Sequence, residues 1–336
     1  MTCRTALCTS AYVFSFFVCS HQNAATLFSY IYCYFLPLHK FVENIIATVT
    51  FILCALCTAS RVTKHIKTDG VDVLGVTSVD DELFALLERD EDQVAVYSIN
   101  NYRLLRHLNM PGYEPSVIND MTSCVRRKCL YMSEFRNKCI HIYALASTAK
   151  SKLPLSFNPN SLSVTPNGNL LVACHCPKQL VELSVESGKQ VRQISLQEDI
   201  KYLWHGVQLA NGQFVVCHGS YGSLHRVCMV GDDGRVTRSY GGKCGSGYEQ
   251  LDCPCHLALD EDSQLIFVAD QLNDRVVVSS PRLEFVRYIG KGVYRPCRLY
   301  FDQSTRRLYV AHAMGDVSVI QLLMSRDCMS MTSSTS

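Results

Sequence analysis

Leu265-Ile266-Phe267-Val268-Ala269-Asp270, with Val276-Val277-Val278 beginning six residues after Asp270, is the stretch from which the rest of the chain can be read. Two short apolar runs rich in β-branched residues flank a polar turn, the pattern of an antiparallel hairpin. The same pairing recurs without gaps in four other places. Leu83–Glu88 goes with Val94–Tyr97, Cys129–Met132 with Ile140–Tyr143, Leu170–Ala173 with Leu180–Leu183, and Phe214–Cys217 with Leu224–Val227. Leu308–Ala311 and Val317-Ser318-Val319 repeat it with one residue deleted. The aligned positions Leu87, Ser133, Ala173, Cys217, Ala269 and Ala311 are spaced by 46, 40, 44, 52 and 42 residues. Upstream of each lies another short alternating segment, anchored at Val76, Ile118, Leu162, Val207, Leu257 and Leu299. Three residues before four of these anchors stands a proline (Pro115, Pro159, Pro254, Pro296), with Trp204 and Val73 in the other two units.

Each unit therefore holds several strand-length runs separated by turn pairs such as Asn167-Gly168, Asn211-Gly212 and Asp233-Gly234. A single small antiparallel sheet cannot bury both of its faces. Sheets stacked radially bury them on their neighbours and keep only short edges. A period of 40 to 50 residues with four strands per unit implies a β-propeller, and six units imply an all-β, six-bladed one spanning 61–325. Proline is tolerated just before an inner strand, because that strand is only starting. The last unit runs out after its third strand, near Leu322, while Arg61–Lys67 is strand-like and precedes the first unit. The expectation is that Arg61–Lys67 supplies the missing outer strand and closes the ring.

The fifth unit carries a more specific signature. It reads Tyr240-Gly241-Gly242-Lys243-Cys244-Gly245-Ser246-Gly247, Pro254-Cys255-His256-Leu257-Ala258-Leu259-Asp260, Val268-Ala269-Asp270-Gln271-Leu272-Asn273-Asp274-Arg275-Val276, then Phe285–Gly290. This resembles an NHL repeat almost throughout. The other five units keep the apolar framework and place Glu88, Glu134, Cys174, His218 and His312 where the fifth has Asp270. NHL propellers occur in tripartite-motif ubiquitin ligases, where they recruit RNA or protein, in a peptide-processing lyase, and in structural hubs. The resemblance thus implies a recruiting platform. The N-terminal cysteines lack the paired C-x2-C spacing of a RING or B-box, so ligase activity is not encoded in them.

The composition, 48% apolar and 18% charged over 336 residues, calls for a folded core. A formal net charge of +2 gives no global attraction to nucleic acid, and DNA is not an expected partner. Of 18 cysteines, 12 follow Arg61, many in predicted strands, where a free thiol acts as a small apolar residue. They are read as reduced, which favours a cytoplasmic propeller. Residues 1–60 form an apolar extension with three stretches of near-equal length, each short of a comfortable bilayer span. Residues 41–59 are the best membrane-anchor candidate, followed by Arg61, Lys64 and Lys67. A secretory signal and non-native coding sequence are the alternatives. Residues 326–336 are expected to form a disordered tail.

The aligned set Glu88, Glu134, Cys174, His218, Asp270 and His312 is expected on one face, where second strands turn into third strands. His205, His256, Cys255 and Cys297 are expected nearby at inner-strand starts. Oxygen and imidazole donors there could hold an axial Ca²⁺ or Zn²⁺, with His218, Asp270 and His312 as ligands, making a metal-dependent lactonase, esterase or lyase. The simpler expectation is that the Asp-like residue bonds turn amides and that no metal is held. Cys174-His175-Cys176 and Cys253-Pro254-Cys255-His256 resemble metal half-sites, and structural thiols are the preferred reading. Gly241–Gly247 lacks a Gly-Lys-Ser/Thr ending and precedes a strand, so it is a blade-connecting turn and not a phosphate loop. Arg126-Arg127-Lys128, with Lys291, Arg295, Arg298, Arg306 and Arg307 near Tyr288, Tyr294 and Tyr300, could form a single-strand RNA surface. With no complete catalytic set in the sequence, the main expectation is a non-catalytic scaffold. It would bind a protein or peptide through a loop face that includes Glu88, Glu134, His205, His218, His256, Asp270, Arg295, Arg298 and His312.

Overall fold

The computed structural model describes residues 60–88, 93–108, 118–220, 222, 224–290 and 292–322. It is all-β among these residues. Strand β1 (Ser60–Ile66) opens the chain. Blade 1 follows as β2 (Val73–Val79), β3 (Glu82–Leu87), β4 (Val94–Ser98) and β5 (Leu104–Leu108). Blade 2 holds β6 (Ile118–Cys124), β7 (Cys129–Glu134), β8 (Cys139–Ala144) and β9 (Lys150–Pro154). Blade 3 holds β10 (Ser161–Val164), β11 (Leu170–Cys174), β12 (Gln179–Leu183) and β13 (Gln190–Ser195). Blade 4 holds β14 (Leu203–Gln208), β15 (Phe214–His218), β16 (His225–Val230) and β17 (Val236–Gly242). Blade 5 holds β18 (Pro254–Leu259), β19 (Ile266–Asp270), β20 (Arg275–Ser279) and β21 (Phe285–Ile289). Blade 6 holds β22 (Pro296–Asp302), β23 (Arg307–His312) and β24 (Val317–Leu322).

The sixth sheet is completed by β1, in the order β1-β24-β23-β22. β1 pairs antiparallel with β24 from Ser60↔Leu322 to Ile66↔Val317. The expected ring closure is therefore present, and the edge that β24 would otherwise expose is covered. Ser318 ties the seam through His65 Nδ1 at 2.9 Å.

The core lies between blades. Ile66, Val73, Tyr309 and Val319 pack across the seam of blades 6 and 1. Phe84, Met121, Leu130 and Met132 pack between blades 1 and 2, and Phe267 stacks on Phe301 between blades 5 and 6. Second strands are buried on both faces (β11, β15 and β19 throughout), because each blade is sandwiched by its neighbours. No helix of the described residues is long and apolar enough to cross a membrane. The membrane-anchor reading of residues 41–59 and the tail at 326–336 lie outside the described residues.

The inner strands share a register break. In five blades the second residue of the strand is a β-bulge: Leu74, Asn119, Trp204, Cys255 and Cys297 sit between paired residues. The residue after each bulge faces its partner in the second strand: Gly75↔Leu86, Asp120↔Ser133, His205↔Cys217, His256↔Ala269 and Arg298↔Ala311. Ser161↔Ala173 is the equivalent pair in blade 3. Two sequence assignments are corrected by this register. The second-unit anchor is Met121, which pairs with Met132, and not Ile118. The fourth is Gly206, paired with Val216, and not Val207.

Gly75 is the small member of this ring. A Cβ there would lie 2.6 Å from Met121 Cβ and 2.8 Å from Met121 N, so β2 and β6 meet closely only because position 75 has no side chain. Gly75→Ala should cost about 1–3 kcal/mol by overpacking, read as a lower urea midpoint. An unchanged midpoint would mean that blades 1 and 2 separate freely.

Candidate binding face and axial cluster

Connections fall on two faces. One, the crossover face, carries the loops from an outer strand to the next inner strand and the turns between second and third strands. The other carries the remaining turns. Second strands end on the crossover face, at Glu134, Cys174, His218, Asp270 and His312. The first-blade equivalent is Leu87, paired with Val73. Glu88 lies one residue beyond it, because the turn from Leu87 to Gln93 is one residue longer than the turn from Asp270 to Arg275.

The sequence expects these residues to line a binding surface. Glu88 is exposed, whereas the side chains of Glu134, Cys174, His218, Asp270 and His312 are buried and committed within their own blades or to the loops entering them. Asp270 accepts the Asp252 N–H at 2.6 Å, Asn273 Nδ2 at 2.9 Å and Arg275 Nε at 2.7 Å. The bonded amide belongs to the incoming crossover loop and not to the turn itself. His218 Nδ1 bonds Lys201 O at 3.3 Å while its Nε2 accepts from Arg226 at 3.3 Å. Burial first, then the Arg226 charge, pushes its pKa down to about 4. His312 Nδ1 accepts the Tyr294 N–H at 3.1 Å, and its Nε2 meets Ser318 Oγ at 2.7 Å. In blades 4, 5 and 6 this position thus holds the backbone of the preceding crossover loop. His218, Asp270 and His312 do not come together as a ligand set. Glu134 differs: its partners are Asn137, Cys139 and His141.

The two cysteine half-sites are not assembled. Cys174 ends β11 and is buried, whereas Cys176 lies in the turn and is exposed. Cys255 bonds Pro296 O at 3.4 Å, and Cys297 meets Val73 O at 3.8 Å, so these thiols join inner strands of adjacent blades. Every cysteine of the described residues is free. The basic run is dispersed: Arg126–Lys128 and Arg306 lie on the face opposite the crossover loops, Arg295 on the crossover face, and Arg298 at the axis.

At the axis the residues after the bulges converge. Asp120, absent from the sequence-based candidates, is their centre. Its Oδ1 accepts Met121 N–H at 2.9 Å and its Oδ2 accepts Leu162 N–H at 3.0 Å. Oδ1 lies 3.6 Å from both His256 Nε2 and Arg298 Nε, and Oδ2 lies 3.8 Å from His205 Nε2. The His205 and His256 rings stack at 3.8 Å between centroids. Arg298 donates to Leu74 O at 2.8 Å, Cys297 O at 2.8 Å and Asn119 O at 2.6 Å, all carbonyls of bulge residues. The bulges therefore supply the acceptors that hold the guanidinium on the axis. Burial alone would raise the Asp120 carboxyl. His256, Arg298 and His205 outweigh it and keep the pKa below the usual carboxylate range. Burial lowers His256, and lowers His205 strongly, so both are neutral near pH 7. His205 Nδ1 and His256 Nε2 are buried without a hydrogen-bond partner.

The crossover face above this cluster carries apolar side chains. Of eleven exposed large hydrophobic residues among the described residues, six lie there: Tyr202, Leu224, Tyr248, Leu272, Tyr294 and Met314. Tyr248 is 72% exposed, Met314 68% and Tyr294 54%. All six belong to blades 4 to 6 or the loops leading into them, a contiguous arc. Val125 alone lies on the opposite face, and the other four are on outer strands.

Fold and site together define a six-bladed β-propeller with a polar axis and one apolar-lined face. No protein-family model and no curated protein matches the sequence. Among solved structures the chain is similar to virginiamycin B lyase from Staphylococcus aureus, with a TM-score of 0.54 and 10% identity over 79% of this chain and 100% of that one. That likeness shows the shared fold.

Proposed function

We propose that this protein is an NHL-type propeller acting as a non-catalytic scaffold. In this reading it binds an apolar segment of a protein partner across the crossover loops of blades 4 to 6. The arc of Tyr202, Leu224, Tyr248, Leu272, Tyr294 and Met314 carries the proposal. Large side chains left exposed on adjacent loops of one face are what a docking surface requires, whereas scattered ones need no explanation. Aromatic residues supply contact area at low entropic cost, which suits them as anchors. The NHL assignment is supported by the fifth blade, where Asp270, Asn273 and Arg275 form one bonded unit. Arg275 also lies 4.1 Å over the Tyr288 ring.

The test compares cross-linked partners of the wild type with those of Tyr248→Ser/Tyr294→Ser/Met314→Ser, with Val125→Ser as the control. Loss of the same partners only in the triple variant, at an unchanged melting temperature, supports the reading. Retention that is unaffected by the triple variant overturns it, and nuclease-sensitive retention reassigns the face to RNA.

A second reading is favoured by one observation: Asp120, His205 and His256 each bring a ligand-type atom to the axis, all within 4.8 Å of one another. Such a set could hold a divalent ion for lyase or lactonase chemistry. Arg298 opposes it, since its guanidinium already compensates the carboxylate. Turnover of a lactone panel that stops with a chelator and is lost in His256→Gln would favour this second reading.

A further inference from the structure

Blade 2 contains a second cluster, away from the axis and independent of the face described above. Glu134 ends β7 and is paired across the ladder with Cys139, the first residue of β8. Cys139 and His141 are two apart on the same strand, so their side chains leave the same side of the sheet. Hairpin register alone thus gathers a carboxylate, a thiol and an imidazole. Glu134 Oε2 lies 3.0 Å from Cys139 Sγ and 2.6 Å from His141 Nε2, and Sγ and Nε2 are 3.9 Å apart. All three side chains are buried.

The cluster meets the requirements of a metal site. Tetrahedral zinc, with bonds of about 2.0–2.3 Å, separates its ligand atoms by about 3.3–3.6 Å. The three contacts straddle that range and reach it with shifts of about 0.3–0.7 Å. Thiolate with imidazole suits zinc, and the carboxylate is compatible with it. Two anionic ligands neutralise a divalent cation, which a buried site needs. Asn137 Nδ2 donates to Glu134 Oε1 at 2.6 Å, which orients the carboxylate with Oε2 toward the thiol and the ring. Lys152, on the neighbouring strand, sits 3.8 Å from Oε2 with its side chain half exposed, so the site borders solvent. The third Cys/His/Asp group, His225–Cys244–Asp252, lacks a free donor on its histidine. His225 Nδ1 accepts the Cys253 N–H at 3.0 Å, and its Nε2 faces Ser220 O at 3.1 Å.

We propose that Glu134, Cys139 and His141 bind one zinc ion in blade 2, leaving its fourth position to water or an exogenous ligand. Binding releases the Sγ–H proton to solvent and moves the ring proton of His141 from Nε2 to Nδ1, which frees the Nε2 lone pair for the cation. Without metal the Cys139 thiol donates to Glu134 Oε2 at 3.0 Å, and the cation takes the place of that proton.

The experiment titrates the full chain with Zn²⁺ against a chromophoric chelator, and with Co²⁺ to read thiolate-to-cobalt charge transfer. Cys139→Ser and His141→Gln are expected to lose the charge-transfer band or at least about tenfold in affinity. His205→Gln and Cys244→Ser should bind as the wild type does. Loss in His205→Gln with retention in Cys139→Ser would overturn the assignment and move the metal to the axis. No stoichiometric binding would also overturn it. If Cys139→Ser does not fold, X-ray absorption of the zinc-loaded wild type decides: one sulfur neighbour supports the site, and none or two refutes it.

Discussion

Acidification from pH 7 towards pH 4 is expected to unfold the propeller before its carboxylates are protonated. Five histidines are buried and held neutral: His141, His205, His218, His256 and His312. Burial is the leading cause in each, and their folded pKa values lie below the ordinary value, His218 at about 4 and His205 well below. In the unfolded chain each titrates near about 6.5. As pH falls below that value the unfolded state takes up protons that the folded state refuses. Stability is complete above about pH 6.5 and is lost between there and each folded pKa. The slope approaches about 1.4 kcal/mol per pH unit for each histidine. His218 alone, lowered to about 4, contributes about 3 kcal/mol over that range, and the other four act in the same direction against the roughly 5–15 kcal/mol of a typical domain. The charged neighbours do not cancel this: Asp120 and Glu134 face His205, His256 and His141, yet burial still sets the direction. Their own depressed values add a further loss only below the ordinary carboxylate range. Urea denaturation between pH 7.5 and about pH 5, with proton uptake measured on unfolding, is the test. His205→Gln/His256→Gln should lower the slope by up to about two protons. A flat profile would show that these rings are hydrated and charged in the folded state.

The division between what the sequence revealed and what it concealed follows from register. Six units, the closing strand at Arg61–Lys67 and the blade-connecting role of Gly241–Gly247 were legible, because alternation and turn residues set them locally. Asp120 was not. Anchoring the second unit at Ile118 puts Val117 in the axial place, whereas the observed register puts Asp120 there. Matching Pro115 to Pro254 puts the anchor three residues early, because Ile118 holds that place, pairing with Glu134 as Pro254 pairs with Asp270. In blade 1 a different error arises: equal turn lengths put Glu88 in the place that Leu87 holds, but the turn after Leu87 is one residue longer than the one after Asp270. His205 and His256 were legible as inner-strand residues, but their stacking came only with the axis. Cys139 and His141 were not singled out, because only the hairpin register shows that their side chains meet Glu134. The apolar arc was hidden for a different reason: Tyr248 and Met314 sit in loops, where sequence does not distinguish an exposed ring from a packed one.

Asp120→Ala should cost about 3–5 kcal/mol, because it leaves the Arg298 charge without its compensating carboxylate. It also removes the acceptor for two backbone amides, Met121 N–H and Leu162 N–H, which lie in different blades. Arg298 cannot retreat to solvent without abandoning three carbonyls spread over blades 6, 1 and 2. Asp120→Asn is the sharper variant. It keeps the shape and one oxygen, but its amide nitrogen must face a backbone N–H, which orphans that donor at about 1–3 kcal/mol. The expected order of urea midpoints is wild type, Asp120→Asn, then Asp120→Ala. Arg298→Ala alone should also destabilise, since it strands a buried carboxylate beside two neutral histidines. Adding Asp120→Ala to Arg298→Ala should then cost less than it does in the wild type, and this coupling is the diagnostic quantity. Additive losses would mean that the two residues act separately, and the axis would have to be re-read as two local arrangements. Strong coupling would show that one ion pair, cradled by repeated bulges, ties blades 1, 2, 3 and 6 together at the centre of the ring.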